Sequence, residues 1–180
     1  MSPKSCKHSL QHSFPARAKG VGLSYSKDSL KVAEDFILES WRKGYMFPRS
    51  KDPKAETYDK ALLVIQAAAY LARVIIKDFG GELGFDENLK LPCVDNVGGQ
   101  GVKALVTLRV ELLVNHGLRG LKQYYDRIAW AVREVEAGKI VVDSDALWNT
   151  AEKHAYKLRS VDEATIREKG ELRSVFFPLA

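Results

Sequence analysis

The sequence has little cysteine, little Asn or Gln, and no apolar run long enough to cross a membrane. Its two cysteines, Cys6 and Cys93, are too few for a disulfide framework or a cysteine-rich metal site, although a single bridge between them stays open. Such sparse cysteine predicts a reducing compartment. The longest apolar run, residues 61–76, contains Arg73 and is shorter than the roughly 18 residues of a membrane span. Four Asn and four Gln are typical of a heat-adapted source.

Catalytic and cofactor signatures are also missing. No serine or cysteine has the context of a nucleophile. The four histidines are too scattered for a local metal motif: His8, His12, His116 and His154. The glycine cluster in residues 97–101 lacks the Lys and the Ser or Thr that directly follow the last glycine of a phosphate-binding loop, so it is not such a loop. These absences predict a protein with no cofactor, no metal and no catalytic site, and therefore not an enzyme.

The positive charge is concentrated at the N-terminus. Residues 1–27 hold five of the 28 basic residues and no acidic residue, since Asp28 is the first acid in the chain. The other 23 basic residues are matched by 23 acidic ones, so the net charge of +5 resides in this segment. We therefore divide the chain into a basic arm, residues 1–26, and a single helical domain, residues 27–180.

Hydrophobic periodicity predicts a mainly α protein, a bundle of about five to six helices with an extended arm and a glycine-rich loop. The central helix is the clearest, because Asp52 and Pro53 suit its start and Gly80 and Gly81 suit its end. A polar stripe of Gln66, Arg73 and Lys77 runs along it. The predicted helices cover residues 26–43, 53–79, 102–115, 118–137, a segment that begins at 143 or 144, and a last one over 160–170.

Two of these assignments rest on competing patterns. Residues 102–115 alternate apolar and polar side chains as a strand does, yet they also form a broad helical face, and we favour a helix. Residues 160–163 read as a capping box, which predicts a short helix that ends at Gly170. The glycine-rich connection, residues 80–101, is interpreted as a surface loop.

The basic segments admit more than one interpretation. The arm is rich in serine and free of acids, which is also typical of an organelle transit peptide. Residues 42–60 carry six basic residues against three acids, which fits an ordinary solvated turn or an extension of a phosphate-binding track. Taken alone the stretch favours the solvated turn, whereas beside a basic arm it can extend the track, so we include its cations among the predicted contacts.

Arg109 and His116 form an R-x6-H pattern at the end of an apolar helix. This pattern resembles the motif of the HEPN family of helical bundles, some of which cleave RNA with such a pair. The resemblance implies, as an alternative function, a helical ribonuclease or RNA-binding domain that uses these two residues. A structural interpretation competes with it, because His116 also suits a helix C-terminus.

In layout the chain resembles the α-helical capsid proteins of filamentous archaeal DNA viruses, through its arm, its basic stretch over residues 42–54 and its apolar helices. The resemblance implies a structural protein of the virion, with an intracellular stage during assembly, that binds double-stranded DNA without sequence preference. It also implies partners that are further copies or a related second subunit. A cytoplasmic location is the alternative. The residues predicted to bind nucleic acid are the following cations: Lys4, Lys7, Arg17, Lys19, Lys27, Arg42, Lys43, Arg49, Lys51, Arg73 and Lys77.

Overall fold

A computed structural model describes residues 22–43, 53–87, 90–142, 161–168 and 171–176. These residues form four helices and two antiparallel sheets of three strands each. In chain order the elements are α1 (Ser29–Lys43), α2 (Pro53–Phe79), β1 (Glu82–Asp86), β2 (Leu91–Val97), β3 (Val102–Ala104), α3 (Val106–His116), α4 (Leu121–Glu136), β4 (Ile140–Val142), β5 (Val161–Glu168) and β6 (Glu171–Phe176). The prediction of a mostly helical chain is confirmed for the described residues, but the fold is α+β and not the predicted bundle of helices alone.

The central helix, α2, has the bounds that its sequence predicted. Pro53 is its first residue, where the absent N–H costs no hydrogen bond, and Gly80 and Gly81 follow its end with φ of 76° and 109°. Residues 67–69, three consecutive alanines, are at most 1% exposed. α2 therefore lies at the centre of the core, where it packs most extensively against α3 and also contacts α1 and α4.

The glycine-rich connection is a small sheet, not a surface loop. β1 and β2 form an antiparallel hairpin, and β3 joins the other edge of β2. Glycine at position 84 suggested a loop, but a Cβ there would lie 1.7 Å from the Asp95 carboxylate. The residue lacks a side chain because its partner strand fills that space, so the glycine is a packing feature of the sheet. Cys93 of β2 is buried as a thiol that points to Asp95 Oδ1, and Cys6 lies outside the described residues.

The segment 102–115 is a strand at its start and a helix over the rest. Val102 and Ala104 pair with Val97 and Val94 of β2, and the helix begins only at Val106, after Leu105 with ψ of 57°. The prediction of one continuous helix was wrong for its first residues. From Val106 the helical prediction is confirmed, and Gly117 ends the helix with φ of 66°.

The prediction of a helix over residues 160–170 was wrong. Residues 161–168 form strand β5, which pairs with β4 on one side and with β6 on the other. Val161, Thr165 and Ile166 are β-branched, and such side chains favour a strand when partner strands are available. The helix predicted to begin at 143 or 144 lies outside the described residues.

The core is formed by one cluster of apolar side chains from α1, α2, α3, α4, β2 and β3. α1 begins at Ser29, three residues after the predicted start, and the Ser26 and Ser29 side chains each accept a hydrogen bond from the other's backbone N–H. At the C-terminal end of α4, the N–H groups of Gly138 and Lys139 donate hydrogen bonds to the carbonyls of Val135 and Glu134, as in a Schellman motif. Among the described residues, no helix is both long and apolar enough to cross a membrane.

Candidate nucleic-acid interface

The end of the basic arm is bound to the body of the protein. We call residues 22–28 the arm root. Leu23 and Tyr25 of the root pack on the core, and the Tyr25 ring lies 4.9 Å from the Tyr70 ring of α2. The Tyr25 N–H donates to the Tyr70 hydroxyl over 3.3 Å, and Ser29 Oγ is hydrogen-bonded to the same hydroxyl. Because Tyr70 is almost fully buried, the root has a fixed attachment point on α2.

Two of the predicted cations of α2 lie beside this attachment point. Lys77 Nζ donates to the Tyr25 carbonyl over 3.2 Å, and the Arg73 guanidinium lies 5.7 Å from the centroid of the Tyr25 ring. Both side chains belong to exposed residues, so their charge is accessible from solvent. The structure thus places the arm root beside the two exposed cations of α2. Gln66 does not belong to the exposed stripe, because it is only 7% exposed.

A second set of contacts links the arm root to α4. Lys27 Nζ lies 2.6 Å from Asp126 Oδ1 and 5.7 Å from the centroid of the Tyr125 ring. Asp28 in turn lies 3.1 Å from Lys122 Nζ. Both ion pairs join the arm root to α4. The root supplies the cation in the first pair and the anion in the second. The root is therefore attached to α2 through Tyr25 and to α4 through charged side chains.

The two buried phenols near the root keep their protons well above neutral pH. Burial raises the pKa of Tyr70. Burial and the hydrogen bond from its hydroxyl to Asp78 Oδ2, 2.7 Å long, raise the pKa of Tyr125. Both hydroxyls therefore remain neutral hydrogen-bonding groups under physiological conditions, and the attachment of the root does not titrate through them.

A groove with a volume of about 530 Å³ runs along α4 between the arm root and the end of α2. Its lining combines apolar side chains such as Phe79 with charges of both signs. The charged residues are Lys27, Asp78, Asp126, Arg133 and Glu136. The sequence did not predict this groove. Its carboxylates come from α2 and α4, which are distant in sequence and adjacent only in the fold. Within the described ranges, no three His, Cys, Asp or Glu side chains are placed to hold a metal ion.

Arg42 and Lys43, the other two predicted cations that the structure describes, lie at the far end of α1 from the root. Arg42 is exposed in the last turn of α1, which is about 20 Å from Ser29 at 1.5 Å of rise per residue. Lys43 is the last residue of that helix. The other predicted cations lie outside the described residues: Lys4, Lys7, Arg17, Lys19, Arg49 and Lys51.

Arg109 and His116, the pair of the alternative function, differ in environment. Arg109 is 3% exposed, and its Nη2 donates to the Arg119 carbonyl over 2.9 Å. His116 is exposed at the C-terminus of the same helix. The contact gives Arg109 a structural role in the loop before α4. The ribonuclease function stays a prediction.

No sequence pattern indicated a role for Glu34, a buried carboxylate of α1. Its Oε2 accepts hydrogen bonds from the N–H groups of Gly120 and Leu121, over 2.6 and 2.9 Å, at the start of α4. The first N–H groups of a helix lack partners within it, and a negative charge there is stabilised by the helix dipole. Glu34 therefore sets the position of α4, which carries Asp126 and Tyr125.

Comparisons with protein-family models, with curated proteins and with solved structures found no match to this chain.

Proposed function

We propose that this protein is a structural subunit that coats nucleic acid through sequence-independent contacts with phosphates. The observation that carries the proposal is the charge layout. Residues 1–27 contain five cations and no acid, and their last part is fixed on α2 beside Arg73 and Lys77. The remaining residues are balanced in charge, so the arm is the part of the chain to which a polyanion is drawn.

The attachment of the root supports a shared function of the arm and α2. Cations that neutralise phosphates release the counterions condensed on nucleic acid, and each such contact adds to the affinity. Arg73 and Lys77 lie where the arm joins the body, so they extend the row of arm cations onto the folded surface. Residues 1–21 can reach at most about 75 Å when fully extended, which is the length of about two turns of a duplex.

The absence of a base-reading motif supports binding without sequence preference. No zinc-finger, basic-zipper or RNA-recognition pattern occurs in the sequence. The finer proposal is a capsid subunit in the virion of a filamentous virus, with double-stranded DNA as its nucleic acid. It is supported by the layout of a basic arm on a charge-balanced body and by the low content of Asn and Gln. In that role the body packs against further copies or against a related second subunit.

A comparison of two fourfold variants tests the arm. In the first, Lys4, Lys7, Arg17 and Lys19 are replaced by Gln; in the matched control, four exposed cations of the body are replaced (Lys31, Lys90, Arg119 and Lys139). Both variants lose the same charge. Substitution is preferable to deletion of residues 1–26, because Leu23 and Tyr25 pack on the core.

We expect the arm variant to lose most of its affinity for a random-sequence duplex, measured by fluorescence anisotropy, while the control keeps most of it. Affinity per subunit should rise with the length of the duplex, since neighbouring copies then pack on one another. Equal losses in the two variants would contradict the proposal, because binding would then depend on net charge alone.

A further inference from the structure

Lys27, the cation at the base of the arm, is already occupied by a carboxylate of its own chain. Its Nζ lies 2.6 Å from Asp126 Oδ1, a distance typical of a charge-assisted hydrogen bond. Contacts with α2 and with α4 set the position of Lys27. Tyr25, two residues earlier, is attached to Tyr70, and the Lys27 ammonium lies near the Tyr125 ring.

The pair is open to exchange with an external anion. The side chains of Lys27 and Asp126 are 42% and 49% exposed, so water and solutes reach both charges. Ion pairs with this exposure are weak and are screened by salt. A phosphate that approaches along the arm meets Lys27 as its last cation, and it can replace Asp126 without rearrangement of the buried contacts at Tyr70.

We propose that Asp126 is an internal competitor for nucleic-acid phosphate at Lys27. Without nucleic acid, the carboxylate holds Lys27 against α4 at the edge of the groove. When the chain binds nucleic acid, the ammonium transfers to a phosphate and Asp126 is left exposed to solvent. This inference rests on the proposed function, and it adds a contact that weakens binding and thereby keeps the complex reversible.

The exchange has a signature in the salt dependence of binding. A new lysine–phosphate contact releases counterions from the nucleic acid and contributes about −0.9 to the slope of log K against log [salt]. In the wild type, salt cations screen the Asp126 carboxylate that Lys27 leaves, which offsets part of this release. In Asp126→Asn no carboxylate is freed, so the full contribution appears.

The test is a salt titration of duplex binding by the full-length wild type, Asp126→Asn and a control, Glu87→Gln. Glu87 forms an exposed ion pair with Lys90 on the β1–β2 turn, so the control also removes one negative charge and releases one lysine. We expect Asp126→Asn to bind more tightly than the control. Its advantage over the wild type should shrink between about 50 and 200 mM salt, by at most about threefold to fourfold, which is the limit set by a slope difference of about 0.9.

A double-mutant cycle with Lys27→Gln separates a direct contact from a general charge effect. The gain from Asp126→Asn should disappear in the Lys27→Gln background. A gain that persists there, or one no larger than that of Glu87→Gln, would overturn the role of Asp126 and leave the proposed function intact. If the wild type does not bind duplex at all, the proposed function fails first.

Discussion

The buried carboxylate of Glu34 provides the sharpest test of how the body is held together. Glu34 is 6% exposed, and it accepts two hydrogen bonds from the first N–H groups of α4. Replacement by Ala leaves these two donors without an acceptor inside the protein. A lost hydrogen bond to a charged group costs about 1.5–3 kcal/mol, and a lost helix cap costs about 0.5–2 kcal/mol. Since the two donors share one acceptor, we expect Glu34→Ala to lower the free energy of unfolding by about 2–4 kcal/mol.

The neighbouring residue supplies the matched control. Asp35 forms an ion pair with Arg119 over 3.0 Å, but its side chain is 52% exposed. Such surface pairs contribute about 0–1 kcal/mol, so Asp35→Ala should change stability little. Urea unfolding followed by circular dichroism measures both variants. Glu34→Gln should fall between them, because it keeps an acceptor oxygen and loses the charge. A Glu34→Ala variant as stable as Asp35→Ala would refute the argument.

Two further predictions concern the turn after β2 and a buried phenol. Gly98 and Gly99 share a φ of 68°, but a Cβ at Gly98 would lie 2.4 Å from Val132 Cγ1 and a Cβ at Gly99 meets nothing within 4 Å. Gly98→Ala should therefore lower the free energy of unfolding by about 1–3 kcal/mol more than Gly99→Ala in the same urea assay. Equal losses would show that the turn is not in close steric contact with α4. The raised pKa of Tyr125 means that the unfolded chain loses this proton first as the pH rises, so its contribution to stability is complete below about pH 10 and is lost above it. Tyr125→Phe should make the loss of stability above about pH 10 less steep in thermal unfolding, and an unchanged profile would contradict the assignment.

The sequence predicted those parts of the fold that neighbouring residues decide. α2 begins at Pro53 and ends before Gly80 because proline and glycine restrict or free the backbone at their own positions. β5 could not be predicted in this way. The pattern of residues 160–163 is a local helix signal, whereas a strand is stabilised by pairing with β4 and β6, which is not visible in a short window.

The same difference between local signals and long-range contacts applies to the candidate interface. The seven-residue spacing of Arg73 from Gln66 placed both on one side of α2, but it could not show that only Arg73 is exposed. The attachment of Tyr25 to Tyr70 and the pair of Lys27 with Asp126 join residues far apart in sequence. Such contacts arise from the packing of α1, α2 and α4, so the helix periodicity that located each element contained no information about them.

We propose that this protein binds nucleic acid through a row of cations that runs from the arm onto α2. The most direct measurement is the salt dependence of duplex binding by the full-length protein. Six cations make up this row: Lys4, Lys7, Arg17, Lys19, Arg73 and Lys77. At about 0.9 for each phosphate contact, they predict a slope of log K against log [salt] of about −5 per subunit. A slope shallower than about −1 would mean that at most one of these cations contacts a phosphate, which would contradict the account.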